Sequence, residues 1–539
     1  MTAPLPAALA LFLGLWTIDL DSPAPQRAVR QPAAVAALID REIDKQLAEA
    51  KIPASPPADD AEFLRRACLD ITGRLPAPEK VIAFLDSQEP DKRRRLLDDL
   101  LNSSDYGQHF ATLWRDRVAP GMTLDANLKN GLQQWLAGRF NENAGWDRVV
   151  AELLTAEAGP PTAFVLAQSD NNQLQPNLLA SATARLFLGV QLQCAECHHH
   201  PFSDWKQADF WGLAAFFGRV KRQPAQAKGA PGGLTEAAVA TDKKGPPPMP
   251  PGNFIVLPPT AGKGAGKRVP AKFLGADAPD LPGEGAIRPK LAAWLTATEN
   301  PFFAEAAVNR LWAHFFGRGL VDPVDDFSDT NPPSHPELLR ELAAEFRASG
   351  FDLKHLARCI TASRAYQRTS RPLPENQKDK TLVSRPAVKV FTPEMHYDAL
   401  TAALGLPALK IDPGKAISAE GRSVKTAGSP RDSFAAFFRT QDSDAGPTDY
   451  THGIPQALSL MNDPEFNRGT YPAVEQLVKA NLPPEKALEA LYLRTLSRRP
   501  TEVESKLLRA YLARQPDAAK GYAGVLWILV NAQEFVLNH

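Results

Sequence analysis

Apolar residues recur at intervals of three and four along most of the chain, a period that belongs to helices packed through one face and not to strands. Ala33 to Ala50 shows it first. Asp59 and Asp60 then stand where a helix needs a cap, ahead of Phe63, Leu64, Ala67 and Leu69, and Gly73 with Pro76 ends that run. Helical runs follow at Pro78–Asp86, Lys92–Leu101, Gly107–Val118, Leu128–Phe140, Trp146–Glu157 and Gln173–Leu192. The same period resumes at Arg288–Thr298, Phe302–Phe316, Pro336–Ser349, Leu353–Tyr366 and Pro393–Leu404. It continues near Leu458, Val474 and Leu488, at Glu502–Leu512 and at Ala523–Phe535. No longer repeat of the solenoid kind stands out.

Between the two helical halves the composition turns to Pro, Gly, Ala and Lys, and a run such as Gly245-Pro-Pro-Pro-Met-Pro-Pro-Gly252 cannot sustain a helix. A chain of 539 residues also exceeds what one hydrophobic core usually supports. The expected fold is therefore all-α and multi-domain, with long Pro/Gly-rich irregular excursions and at most a small β-element. The expected division is a signal-like segment and spacer over 1–32, a helical domain over 33–220, a linker or excursion over 221–287, and a second helical domain over 288–539. Within the excursion, Asn253–Leu257 and Ala271–Leu274 are predicted to pair as short strands. Gly262, Gly264 and Gly266 have the wrong spacing for a phosphate loop, and no Ser or Thr follows Lys267.

With 44% hydrophobic and 23% charged residues the composition is that of a soluble globular protein. Lys plus Arg and Asp plus Glu both number 61, so the broad electrostatic case for nucleic acid is gone. The basic run after Asp91 is balanced by Asp98 and Asp99 and reads as a solvated helix face. Leu5 to Ile18 suits the apolar region of a secretory signal, which predicts a periplasmic or secreted protein. It is atypical: no Lys or Arg precedes it and no clean small-residue cleavage site follows. An uncleaved anchor and a buried N-terminal helix are the alternatives, and no other transmembrane span is expected.

Four cysteines do not make a disulfide framework. Cys68 and Cys359 sit alone in apolar-periodic stretches and are expected to be core residues. Cys194-Ala-Glu-Cys197-His198 is different, because this is the pattern by which haem c is attached. Thiols three residues apart reach the two vinyl groups on one porphyrin edge, and the adjacent imidazole then serves as proximal ligand. A bare Zn or Fe site is the competing chemistry, with Cys194 and Cys197 as half of a tetrahedron and His198 or His200 beside them. His314 is the remote candidate to complete it, although its apolar setting suits a core histidine. A tight turn with a solvated histidine cluster and no cofactor is the third reading. Met249 is a loop residue or a distal haem ligand. Trp205, Phe210, Trp211 and Phe216 supply an aromatic wall that haem and core need equally, and Asp204 is placed to cap the helix that follows.

Asp322, Asp325, Asp326 and Asp329 form an acidic cluster in which helix capping and salt bridging are expected ahead of metal or sugar binding. Asn309, Arg310 and Arg318 pair either with that cluster or with haem propionates.

The stretch Phe63-Leu-Arg-Arg-Ala-Cys-Leu-Asp-Ile-Thr-Gly-Arg-Leu-Pro76, the block from Arg185 to Phe202 around the cysteines, and Gly212-Leu-Ala-Ala-Phe216 closely resemble the planctomycete cytochrome-like domain family. Val308 to Leu320, Asp325-Asp326-Phe327, Asn331-Pro332 and Gly350 to His355 resemble its usual companion, the planctomycete-specific C-terminal domain. Leu491 to Pro500 and Asn531 to His539 are similar too. The resemblance implies an exported protein of a class whose function is unknown, often joined to a separate cytochrome c domain or carbohydrate-related modules. Asp442 to Thr451 departs from many relatives in lacking a cysteine-bearing stretch. The expected function is a redox protein carrying haem c, passing electrons to a partner protein or oxidising a carbohydrate-related substrate. The alternative is a metal-stabilised extracellular binding or scaffolding protein without redox activity.

Overall fold

The computed structural model describes residues 28–120, 126–170, 173–223, 233–236, 253–257, 267–282, 285–407, 429–438 and 470–539. The signal-like segment, Met249, the glycine triplet, the run near Leu458 and Asp442–Thr451 lie outside them.

Helices carry the architecture, as the apolar period demands. The N-terminal series is α1 (Pro32–Ala50), α2 (Asp60–Thr72), α3 (Pro78–Asp86), α4 (Lys92–Asn102), α5 (Ser104–Val118), α6 (Ala126–Asn141), α7 (Trp146–Thr155), α8 (Ala163–Ala167), α9 (Pro176–Thr183) and α10 (Gln207–Ala215). Next come α11 (Arg288–Leu295), α12 (Phe303–Phe316), α13 (Pro336–Ala348), α14 (Leu353–Thr361) and α15 (Arg364–Gln367). The last series is α16 (Pro393–Leu404), α17 (Pro430–Phe438), α18 (Pro472–Lys479), α19 (Pro484–Thr495), α20 (Glu502–Leu512), α21 (Ala518–Val530) and α22 (Gln533–Val536). Among the described residues, sheet is confined to four antiparallel two-stranded pairs.

Local chemistry sets the ends of these elements. Asp59 caps α2 by accepting a hydrogen bond from the Glu62 amide at 2.8 Å. Gly73 closes the helix in the left-handed region at φ +67, where a Cβ would sit 2.3 Å from His109 Nδ1. The predicted helix Leu353–Tyr366 is two helices, because Ser363 accepts from the Tyr366 amide and starts α15 afresh. The predicted Gln173–Leu192 helix is also interrupted. Gln173–Leu174 pairs with Ser169–Asp170, Pro176 begins α9, and a wider turn over Ala184–Leu188 stops at Gly189.

In the excursion, Phe254–Leu257 pairs with Lys267–Pro270 and not with Ala271–Leu274. Ala271 and Leu274 go instead into the core, and Phe273 completes a stack between Phe216 and Trp294 at 5.2 and 4.9 Å. Burial against α10 and α11 outcompetes a strand partner for those apolar residues.

Two hydrophobic cores result. The first runs from Val35 through Tyr366 and takes in α11 to α15; the second gathers residues from Phe391 to Phe535. Each wholly buried Leu, Ile, Val or Phe in them contributes roughly 1.5–3 kcal/mol. α2 belongs to both, because Phe63, Leu64 and Cys68 face the first core and Leu69 faces the second.

α2 also carries the polar joint between them. Arg65 donates to the carbonyls of Thr495 (3.0 Å) and Phe535 (2.8 Å), and Arg66 to those of Tyr366 (2.7 Å), Arg368 (2.8 Å) and His539. Asp70, buried in the same helix, accepts from Lys389, from Tyr366 Oη at 2.8 Å and from Asn538 Nδ2 at 2.6 Å. Lys389 and Asn538 arrive there because Lys389–Val390 and Leu537–Asn538 pair as antiparallel strands.

Among the described residues no single helix is long and apolar enough to cross a membrane.

Candidate functional site

The Cys194–His200 segment follows the helical stretch that ends at Gly189. A Cβ on Gly189 would meet the Phe327 ring at 2.6 Å, so the loop of Asp325 to Phe327 closes directly over this glycine. Asp325 binds Gln191 Nε2 at 3.2 Å and lies 3.6 Å from Arg185, while Asp322 pairs with Arg318 at 3.0 Å. Asp326 is met by Asn331, and Asn309 ties the loop through Val321 and Val324. Through Asp325 the acidic cluster thus reaches Gln191, just ahead of the cysteines.

Gln193–Glu196 makes one 3-10 turn, begun by the Ala195 amide donating to Leu192 O at 2.8 Å. Residues three apart eclipse on such a turn. Leu192 and Ala195 are wholly buried, which leaves Cys194 and Cys197 together on the exposed side as free thiols. The turn is clamped from α10: Trp211 Nε1 donates to Glu196 O at 2.9 Å, and Gln207 Nε2 to Glu196 O and Cys197 O, both at 3.1 Å. Asn177 of α9 holds the Glu196 carboxylate at 3.0 Å. The N-cap of α10 is Lys206, whose amide donates to Asp209 in the first turn at 2.9 Å; Asp204, the expected cap, lies too far before that turn.

The three consecutive imidazoles are not equivalent. His198 Nδ1 lies 2.6 Å from His199 O, and a carbonyl can only accept, so Nδ1 carries the hydrogen; the neutral ring in that tautomer keeps its lone pair on Nε2. His199 Nδ1 accepts from the Gln207 amide and His200 Nδ1 from the Phe202 amide, each at 3.2 Å. In those two neutral rings the proton is therefore on Nε2. His198 alone of the three offers a ligand nitrogen while its other nitrogen is anchored by backbone.

The aromatic wall is divided. Phe210 and Phe216 are completely buried in the core, Trp211 is engaged with the turn, and Trp205 packs towards Phe302 at 6.2 Å. Phe202 is 70% exposed beside the histidines.

His314 is elsewhere, at the α2 joint. Its Nε2 lies 2.7 Å from Asp70 O and its ring packs on His109 and Phe110. Burial drives it down to about 3, so the ring is neutral. Among the described residues no group of three or more His, Cys, Asp or Glu side chains converges as a metal site.

The joint holds functional groups that sequence reasoning passed over. Burial lowers Lys389 from the ordinary lysine range, yet its three N–H donors meet three acceptors: Asp70, His314 O at 2.9 Å and Phe315 O at 3.0 Å. Cys359 gained a histidine neighbour one helical turn away, His355, at 3.6 Å, with Glu345 behind it at 3.1 Å. The same nitrogen, His355 Nε2, faces both partners, so no relay from carboxylate to thiol exists. Burial pushes the Cys359 thiol up to about 12, and it packs as the core residue expected.

Residues 38–222 match PSCyt2, described as a protein of unknown function (DUF1549), and residues 287–512 match PSD1, described likewise (DUF1553). The chain carries a PSCyt2 domain followed by a PSD1 domain. These are the planctomycete cytochrome-like domain and its C-terminal companion, in that order. The cysteine turn lies inside the PSCyt2 match, and Asp325 and Phe327, which close over its approach, lie inside PSD1. No curated protein and no solved structure matches this PSCyt2–PSD1 chain.

Proposed function

We propose that the protein is an exported redox protein carrying haem c on Cys194 and Cys197, with His198 as the proximal ligand. The observation that supports this reading is the His198 ring: Nδ1 anchored on a backbone carbonyl, Nε2 unencumbered, one residue beyond two exposed thiols on a single turn. Those residues fit the attachment chemistry, since both thiols are free and exposed for addition to a vinyl group. Haem would supply a one-electron couple at the iron. This chain's residues hold the turn through Gln207, Trp211 and Asn177 and fix the His198 tautomer. Electron transfer to a partner protein is the activity this favours, and oxidation of a carbohydrate-related substrate is its extension.

The competing zinc or iron site needs further ligands beyond the two thiols and His198. His200 has its Nδ1 lone pair occupied, and His314 is bonded at Asp70, so neither supports that reading.

The test is production in a host with haem-attachment machinery, followed by a pyridine haemochrome spectrum and a haem stain on a denaturing gel. Covalent haem that disappears in Cys194→Ala, Cys197→Ala is expected. A colourless protein holding stoichiometric zinc would instead establish the metal-stabilised alternative.

A further inference from the structure

α5 and α12 enclose a small cavity away from the cysteine turn. Phe110, Trp114 and Arg117 recur at helical spacing on α5, and Arg310 and His314 on α12, with Trp146 closing the side. Its free volume is about 20 Å³, room for roughly one body somewhat larger than water. The walls are aromatic, yet two guanidiniums reach into it, each centred 5.9 Å from the Trp114 ring.

Neither arginine has a carboxylate within ion-pair distance among the described residues. Arg310 is only 8% exposed; its Nη2 donates to Arg185 O at 3.1 Å, and its Nε has no partner. Arg117 donates one bond, to Leu113 O at 2.9 Å. The nearby Asp325 is already held by Gln191 and Arg185. Burial depresses both guanidiniums; Arg310, which also feels the Arg117 charge, falls to about 9. Two like charges beside one indole, with N–H donors to spare and their nearest carboxylates, Asp116 and Asp325, bonded to other side chains, cost free energy that a small anion between them would recover. Arginine suits such a site better than lysine, because a planar guanidinium can sit beside an aromatic ring and still offer several N–H donors to an anion.

We propose that this cavity is a binding site for one small monoanion, a halide or formate, held between Arg117 and Arg310. The size of the space excludes nucleotides, sugar acids and haem propionates still attached to their ring.

Thermal unfolding of the full chain at constant ionic strength tests it, with sodium gluconate, too large to enter, exchanged stepwise for chloride, bromide or formate. A saturable rise of about 2–4 °C is expected. The rise should vanish in Arg310→Met and in the half-buried Arg117→Met. Response to the halides alone would assign a halide site, and response to formate as well a carboxylate site. A flat wild-type profile, or the same rise in a folded variant, would overturn the proposal. Should both variants fail to fold, crystals of the wild type soaked in bromide decide: an anomalous peak between the two guanidiniums supports the site, and its absence at saturating bromide removes it.

Discussion

The joint around Asp70 and the turn carrying Cys194 hold similar residue types, acids, bases and histidines, and treat them in opposite ways. At the joint, Asp70, Lys389, Tyr366 and Asn538 are buried, His314 is half-buried, and all are bonded to one another or to backbone. At the turn, Cys194, Cys197 and His198 face solvent, and the hydrogen bonds that hold them go to backbone carbonyls, leaving sulfur atoms and one imidazole nitrogen unused. A satisfied group stabilises and is chemically quiet; a positioned but unsatisfied one is available. Burial and reactivity have been assigned to different parts of the same chain.

The contrast is broken most severely at Asp70. Asp70→Ala leaves the Lys389 ammonium buried without its counter-ion, and a loss of about 3–5 kcal/mol in urea unfolding is expected. Asp70→Leu combined with Lys389→Met should recover much of it, since an apolar pair needs no partner. A loss below roughly 1 kcal/mol for Asp70→Ala would show that water reaches the joint and that the two regions do not differ in kind.

Gly73→Ala should cost about 1–3 kcal/mol, from left-handed backbone and from contact with His109. Pairing it with His109→Ala separates the two sources: relief of the steric part alone is expected.

Acid sharpens the comparison further. His314 sits at about 3 in the folded protein and near 6.5 when unfolded, so the unfolded chain binds the extra proton first. Its contribution is complete above the unfolded value and is lost as pH falls towards the folded one. His109 and His335, the latter at about 4, act in the same sense. Stability should fall by roughly 1 kcal/mol per pH unit for each such group below pH 6.5. Melting curves of His314→Gln from pH 7 to pH 4 should show a shallower decline than the wild type.

The smallest effect belongs to the turn. Cys194→Ser and Cys197→Ser should each move stability by no more than about 0.5 kcal/mol, because nothing packs on those thiols. A larger loss measured without cofactor would place them among structural residues.

Much of the helical skeleton was legible because apolar period and capping residues act locally: Asp59 and Gly73 delimit α2, and Pro393 and Leu404 bound α16 as expected. The interruption at Gly189 was not, because it depends on Phe327 arriving from far along the chain. Ala271–Leu274 was misread as a strand for the same reason, its true partners being α10 and α11. At the candidate site, the residue types were readable from Cys194 to His198. The tautomer of His198 was not, since it is set by where one carbonyl points. Asp70 and Asn538 stood within stretches whose family resemblance was visible, but the contact between them has no local signal.

That contact spans 468 positions. The ribosome delivers α2 long before it delivers the strand that answers it, so Asp70, Arg65 and Arg66 are made well ahead of their partners at the far end of the chain. Closure over so long a loop is entropically costly and slow. The final locking of the two cores is then a late step that quality-control proteases and chaperones can inspect.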